Sequence, residues 1–184
     1  IQTMNGAFGG TFTSRLNMNL REDKHWAYGA FSFLQNAVGQ RPFMLYAPVQ
    51  TDKTAPSIAE MLKEANGVIG DKPLTDAEIS KVKVGDVRSM PGEYQTTSAV
   101  MDAMQGIALY NRPDDYVQTL KSRIEGQTDG AVEAAAKQII HPDQLTWVIV
   151  GDLAKIESPI RALKLGQVQV LDADGKPVAA KPAR

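Results

Sequence analysis

The tightest constraint on this chain lies between Phe8 and Gly29. Phe8-Gly9-Gly10 leads into Thr11-Phe12-Thr13-Ser14-Arg15-Leu16, then Leu20-Arg21-Glu22, then Tyr28-Gly29. Adjacent glycines allow a tight turn or a close backbone approach. Thr13 or Ser14 can accept a hydrogen bond from the free amides of a helix's first turn. Phe12, Leu16 and Leu20 recur every four residues and predict one buried helical face. Arg21 falls near the end of that helix, where a cation suits the negative pole of the helix dipole. Ala27 to Leu34 has strand character, with Phe31 and Phe33 on one face and Tyr28, Ala30 and Ser32 on the other. Turn, helix and strand in such close succession bring Gly10, Arg21 and Tyr28 into one neighbourhood.

The rest of the chain reads as a hairpin, then helices, then a late strand. Phe43, Leu45, Ala47 and Val49 alternate with Met44, Tyr46 and Pro48, so strands over 27–37 and 42–50 are expected to pair as a hairpin. Pro48 cannot donate to a ladder and marks an edge or a bulge. Thr54 is expected to cap a helix over Ala55–Ile69, and Thr75 with Glu78 forms a capping box for the next. From there to His141 three apolar stripes predict helices: Val100 to Ala108, Val117 to Ile124, and Val132 to Ile140. The methionines in these stripes read as core filler. Leu145–Val150 is a continuous apolar run, expected to form a central strand covered on both faces. A short helix around Pro159, a last strand at Val168–Leu171 and a turn at Asp172–Gly175 follow. The fold class is α+β, a mixed and largely antiparallel sheet backed by helices. Residues 1–184 form a single domain, with a flexible tail expected at 176–184.

Composition narrows the chemistry. With 43% hydrophobic and 22% charged residues, the chain can bury a sizeable core. A net charge of −1 without a basic run argues against a nucleic-acid partner. No stretch approaches the ~20 apolar residues of a membrane-spanning helix. The absence of cysteine removes disulfides, thiolate metal sites and a thiol nucleophile. Only two histidines are present: His25 is expected at a helix end bonding a free carbonyl, and His141, before Pro142, is expected to terminate a helix. No G-x-S-x-G elbow supports a serine triad. Gly9-Gly10 could offer free amides to an anion, but no Gly-Lys-Ser/Thr follows, so a turn with positive φ is the simpler expectation.

The run from Phe8 to Gly29 resembles the Gly-Gly … Ser-Arg-Leu … Leu-Arg-Glu … Tyr signature of the insulinase/pitrilysin-type zinc peptidases. Those enzymes bind zinc through an inverted H-x-x-E-H motif. They pair a zinc-bearing domain with a homologous, zinc-free one, usually C-terminal, and the resemblance is to the latter. It implies that Arg21 and Tyr28, seven positions apart, assist catalysis from across a chamber wall. It also implies that Gly9, Gly10, Arg21 and Tyr28 contact an unfolded peptide substrate. The H-x-x-E-H motif is missing here, so the zinc and the homologous domain holding it are expected in a partner. This chain alone is expected to be inactive. A scaffolding subunit of the same fold without proteolysis is the alternative. The resemblance departs at His25-Trp26-Ala27, where the family usually has glycine and leucine or glutamine. A complete domain would begin with strands upstream of Ile1, so the chain is expected to start inside a domain. The compartment expected is the bacterial periplasm or cell envelope.

Overall fold

In the computed structural model, which describes residues 1–178, a helix-rich body carries a single two-stranded antiparallel sheet. The first helical segment begins with α1 (Gln2–Asn5) and widens into a π turn over Gly6–Gly10. The second begins with α2 (Arg15–Asn17) and widens in the same way over Met18–Asp23. Strands β1 (Phe31–Leu34) and β2 (Phe43–Tyr46) follow. The remaining helices are α3 (Thr54–Ile69), α4 (Asp76–Glu93), α5 (Thr97–Leu109), α6 (Tyr116–Glu125), α7 (Asp129–Ile139) and α8 (Leu153–Ala162). No helix among the described residues is long and apolar enough to cross a membrane.

The core is built around the two N-terminal helical segments. Met4, Phe8, Leu16 and Leu20 are fully enclosed and meet Met61, Ala65 and Val68 of α3, Ile79 and Val82 of α4, and Val132 and Ala136 of α7. Phe8 also lies 6.4 Å, centroid to centroid, from Phe43 of β2 and so ties the hairpin to the helices. Burying a side chain of this size contributes about 1.5–3 kcal/mol.

Two polar fasteners set the angle between the site-bearing segment and the helices behind it. Thr75 and Glu78 form the reciprocal capping box at the start of α4. Arg15 grips Glu78 with both sides of its fork, Nε to Oε1 at 3.0 Å and Nη2 to Oε2 at 2.6 Å. It also donates to the carbonyls of Lys72 and Pro73. Burial raises the Glu78 pKa, but the Arg15 guanidinium and the Thr75 cap outweigh it and hold the carboxyl below its usual range.

Several expectations need correction. Thr54 does not cap α3: a short 3-10 turn over Thr51–Lys53 leads into it, and Thr54 donates to the carbonyl of Thr51. The apolar stripe of α5 is not core, since no residue of that helix is buried and Met101 and Met104 are exposed. Those two methionines fill nothing, unlike Met4 and Met61. Leu145–Val150 is not a covered central strand. It alternates as a strand would, with Leu145, Trp147 and Ile149 half-buried, but it has no ladder partner among the described residues. Val148 is 86% and Val150 95% exposed. Beside it lies a cavity of about 920 Å³, walled across the gap by residues 165–173 and floored by Ile156 and Ile160. Val168–Leu171 likewise forms no strand; Leu171 makes one bridge to Pro177, and Val178 donates to Val170 across the turn. The part of the expected tail at 179–184 lies outside the described residues.

Two outcomes follow from the Arg15–Glu78 pair. Arg15→Ala should lower stability by about 1.5–3 kcal/mol in denaturant unfolding, because a half-buried carboxylate loses its charged donors. Since the Glu78 pKa is depressed in the folded state, its contribution exists above the ordinary carboxylate range and fades as pH falls through the folded value. The gap in melting temperature between wild type and Glu78→Gln should therefore be widest near neutrality and close in acid.

Candidate functional site

Gly9 and Gly10 do not form a turn with positive φ; they end the first π turn, and the chain passes into extended Thr11. Their small size serves close approach instead. A Cβ on Gly9 would sit 2.6 Å from the backbone nitrogen of Ser32 and closer still to its hydroxyl. A Cβ on Gly10 would meet Asn5 Nδ2 at 2.6 Å. Gly9 thus lets a helical backbone lie directly against β1, and Ser32 Oγ is free to donate to Asn5 Oδ1 at 2.7 Å. Gly10 remains exposed beside this junction.

Ser14 takes the N-cap position of α2, but its side chain makes no capping bond and is buried without a partner among the described residues. Phe12 precedes that cap and leaves the predicted stripe. It is 56% exposed, whereas Leu16 and Leu20 are buried as expected. The second helical segment ends at Lys24, and the chain reverses through His25 at φ 56°. That is the left-handed conformation for which glycine is the usual choice. Here the His25 ring helps hold it, with Nδ1 donating to the Arg21 carbonyl at 3.1 Å. His25 thus occupies a left-handed position with support from its own side chain. His141 similarly places Nε2 3.1 Å from the carbonyl of Gln138, at the end of α7.

Trp26 and Ala27 then donate to the Leu20 carbonyl, and Ala27 bridges Val49. Phe31 pairs with Tyr46. Residues 28–30 therefore oppose only Ala47 and Pro48: a β-bulge. Bulges re-aim side chains, and Tyr28 on this one stands 88% exposed. It lies outside the core.

The structure brings Arg21 and Tyr28 together and adds Phe12. The Arg21 guanidinium carbon lies 4.2 Å from the Phe12 ring centroid and 5.4 Å from that of Tyr28. Such cation–π contacts contribute about 0.5–1 kcal/mol each at exposed sites. Its Nε lies 3.4 Å from Glu22 Oε1, a loose ion pair. A guanidinium stacked on rings keeps its in-plane N–H groups for a ligand. Beside it, a phenol on an exposed bulge offers a further donor. Phe12 departs from the stripe because it precedes the Ser14 N-cap and so lies outside the helix, although its spacing continues the period of Leu16 and Leu20. Among the described residues, no group of three His, Asp and Glu could hold a metal ion.

Residues 1–84 match the profile of the family described as Peptidase M16 inactive domain. Those residues belong to the M16 inactive-domain family. This is the zinc-free branch of the insulinase/pitrilysin type that the Gly9–Tyr28 stretch resembles. The fold extends the likeness beyond residue 84. A peptidase M16 inactive domain from Pseudomonas fluorescens superposes with a TM-score of 0.66 at 22% identity, covering 77% of this chain and 34% of that one. A protease from Helicobacter pylori gives 0.59 at 15% identity, over 77% and 34%. A chain of complex III2 from Candida albicans gives 0.59 at 13% identity, over 74% and 34%. No curated protein matches the chain. The chain spans about a third of the length of these structural relatives.

Gly9→Ala should cost about 1–3 kcal/mol, because the clash is with β1 backbone that cannot give way. Gly39→Ala provides the comparison: it has open space but a φ of 90°. Chemical denaturation of both should show which restraint, space or backbone angle, costs more.

Proposed function

We propose that this domain is the non-catalytic half of an M16 zinc metallopeptidase, enclosing unfolded peptide and orienting it for hydrolysis by a homologous H-x-x-E-H domain. The observation that carries the reading is the Arg21 guanidinium set against two exposed rings, Phe12 and Tyr28, in a chain whose first 84 residues match a family described as inactive. The zinc belongs to the partner domain. The donor set here does not suit a zinc site, with two histidines separated by most of the chain.

In this reading each residue has a limited task. Arg21 directs its in-plane N–H groups at a peptide carbonyl or carboxylate, the geometry its fork favours. Tyr28 O–H donates to the oxygen that gains charge during hydrolysis. Gly9, buried against β1, is out of a peptide's reach and, contrary to expectation, does not contact substrate; exposed Gly10 alone keeps the neighbouring wall at backbone thickness. Alone, this chain cleaves nothing. The periplasm or cell envelope of a bacterium is the compartment proposed for the assembly.

A second reading, an assembly subunit without proteolysis, is favoured by the likeness to a chain of complex III2. One experiment separates the two. In the complete protein with its partner domain, Arg21→Ala and Tyr28→Phe should each lower kcat/KM for a fluorogenic peptide. The expected loss is about 10²–10³-fold, the usual effect of one oxyanion donor, with zinc content and melting temperature unchanged. Equal turnover in wild type and both variants would remove the site assignment. No turnover in any form, with an intact complex, would favour the assembly role.

A further inference from the structure

Resting on that reading, we propose that Asn17 is the positioning residue of the site: one buried carboxamide fixes the gap between the two aromatic walls that hold Arg21. Asn17 is completely buried. An asparagine inside a short helical segment disfavours the helix, so its presence calls for a specific bonding role. Both ends of its amide are engaged, each with a different stretch of backbone. Nδ2 donates to the Phe12 carbonyl at 2.6 Å. Oδ1 accepts from the Ala30 N–H at 3.0 Å.

Those two stretches are the walls. Phe12 is one, and Ala30 closes the bulge that carries Tyr28 as the other. The bulge takes Ala30 N–H out of the ladder with β2, and Asn17 supplies the acceptor the ladder does not. Arg21 lies one helical turn beyond Asn17 on the same segment, so its stem starts from a point fixed relative to both walls. Gly29 completes the arrangement. A Cβ there would sit 2.6 Å from the Phe31 ring, which packs across the bulge. The Asn17 amide touches no substrate, and it acts only by setting where Phe12 and Tyr28 stand.

Asn19 provides the control. It lies on the same segment and donates to Glu60 and Glu64 of α3 at 2.9 and 2.6 Å, away from the clamp. The complete protein with its partner domain, labelled with ¹⁵N-arginine, reports the geometry through the Arg21 Nε–Hε resonance, assigned by its loss in Arg21→Lys. Ring currents from two flanking aromatics shift that resonance in wild type. In Asn17→Ala and Asn17→Ser it should return to the position of a free arginine, and kcat/KM for the fluorogenic peptide should fall about 10²-fold, the scale of an ångström-sized misplacement. Asn19→Ala should leave both unchanged even where its melting temperature falls as far. In wild type itself, the Asn17 carboxamide protons and the Ala30 amide should exchange slowly with solvent. Folded Asn17 variants with an unmoved Arg21 resonance would overturn the proposal. So would free-rate exchange at Asn17 in wild type, a result that stands whether or not either variant folds. If Arg21→Ala leaves hydrolysis intact, the functional reading fails. The resonance and exchange measurements still decide the positioning role on their own.

Discussion

The contact of Gly9 with Ser32 governs the geometry of the whole N-terminal half. A helical backbone normally stands off a strand by the thickness of a side chain. Here the separation closes until backbone meets backbone, and everything placed by β1 inherits that closeness. Phe8, one residue earlier, fills the space beside the contact and reaches Phe43 on β2. The hairpin is thus held by one close approach and one aromatic pair. It stays in register although its ladder has only four paired positions. Hairpins this short are marginal without such backing.

That closeness also explains the bulge. The chain leaves the second helical segment at Lys24 and must pair at once, since Trp26 and Ala27 already bond the Leu20 carbonyl. An early bridge at Ala27 and a later ladder from Phe31 have to fit the same partner strand. One extra residue absorbs the mismatch. Tyr28 projects outward because the ladder skips it.

Sequence patterns revealed the parts of the fold with local causes. The Thr75–Glu78 box, the 27–50 hairpin, the bulge or edge at Pro48 and the helix-ending role of His25 each depend on neighbours in the chain, and each could be read there. The larger departures, α5 and Leu145–Val150, involve partners distant in sequence, whereas Thr54 and Phe12 depart for local reasons at a helix start. The α5 stripe has the right period for a buried face, but periodicity cannot say whether another element arrives to cover it, and none does among the described residues. Leu145–Val150 has strand composition, yet a strand is defined by a ladder, and the composition carries no information about the neighbour. Arg21 and Tyr28 could be brought together from spacing, but Phe12 and Asn17 could not. Phe12 was hidden by a coincidence of period across a cap, and Asn17 works through two backbone groups that side-chain patterns never display.

The choice of aromatic rings rather than carboxylates to hold Arg21 has chemical consequences. A well-formed ion pair would fix the guanidinium but engage its in-plane donors and neutralise its charge, as Glu78 does for Arg15 through two bonds. Rings bind the faces and leave the edge free. Glu22, at 3.4 Å from Nε, restrains the stem on one side without closing the fork. The two arginines of this segment, six residues apart, therefore divide the work by their surroundings. Arg15, bonded at every side of its fork, builds the frame, while Arg21, set against two rings and loosely paired with Glu22, keeps N–H donors uncommitted among the described residues.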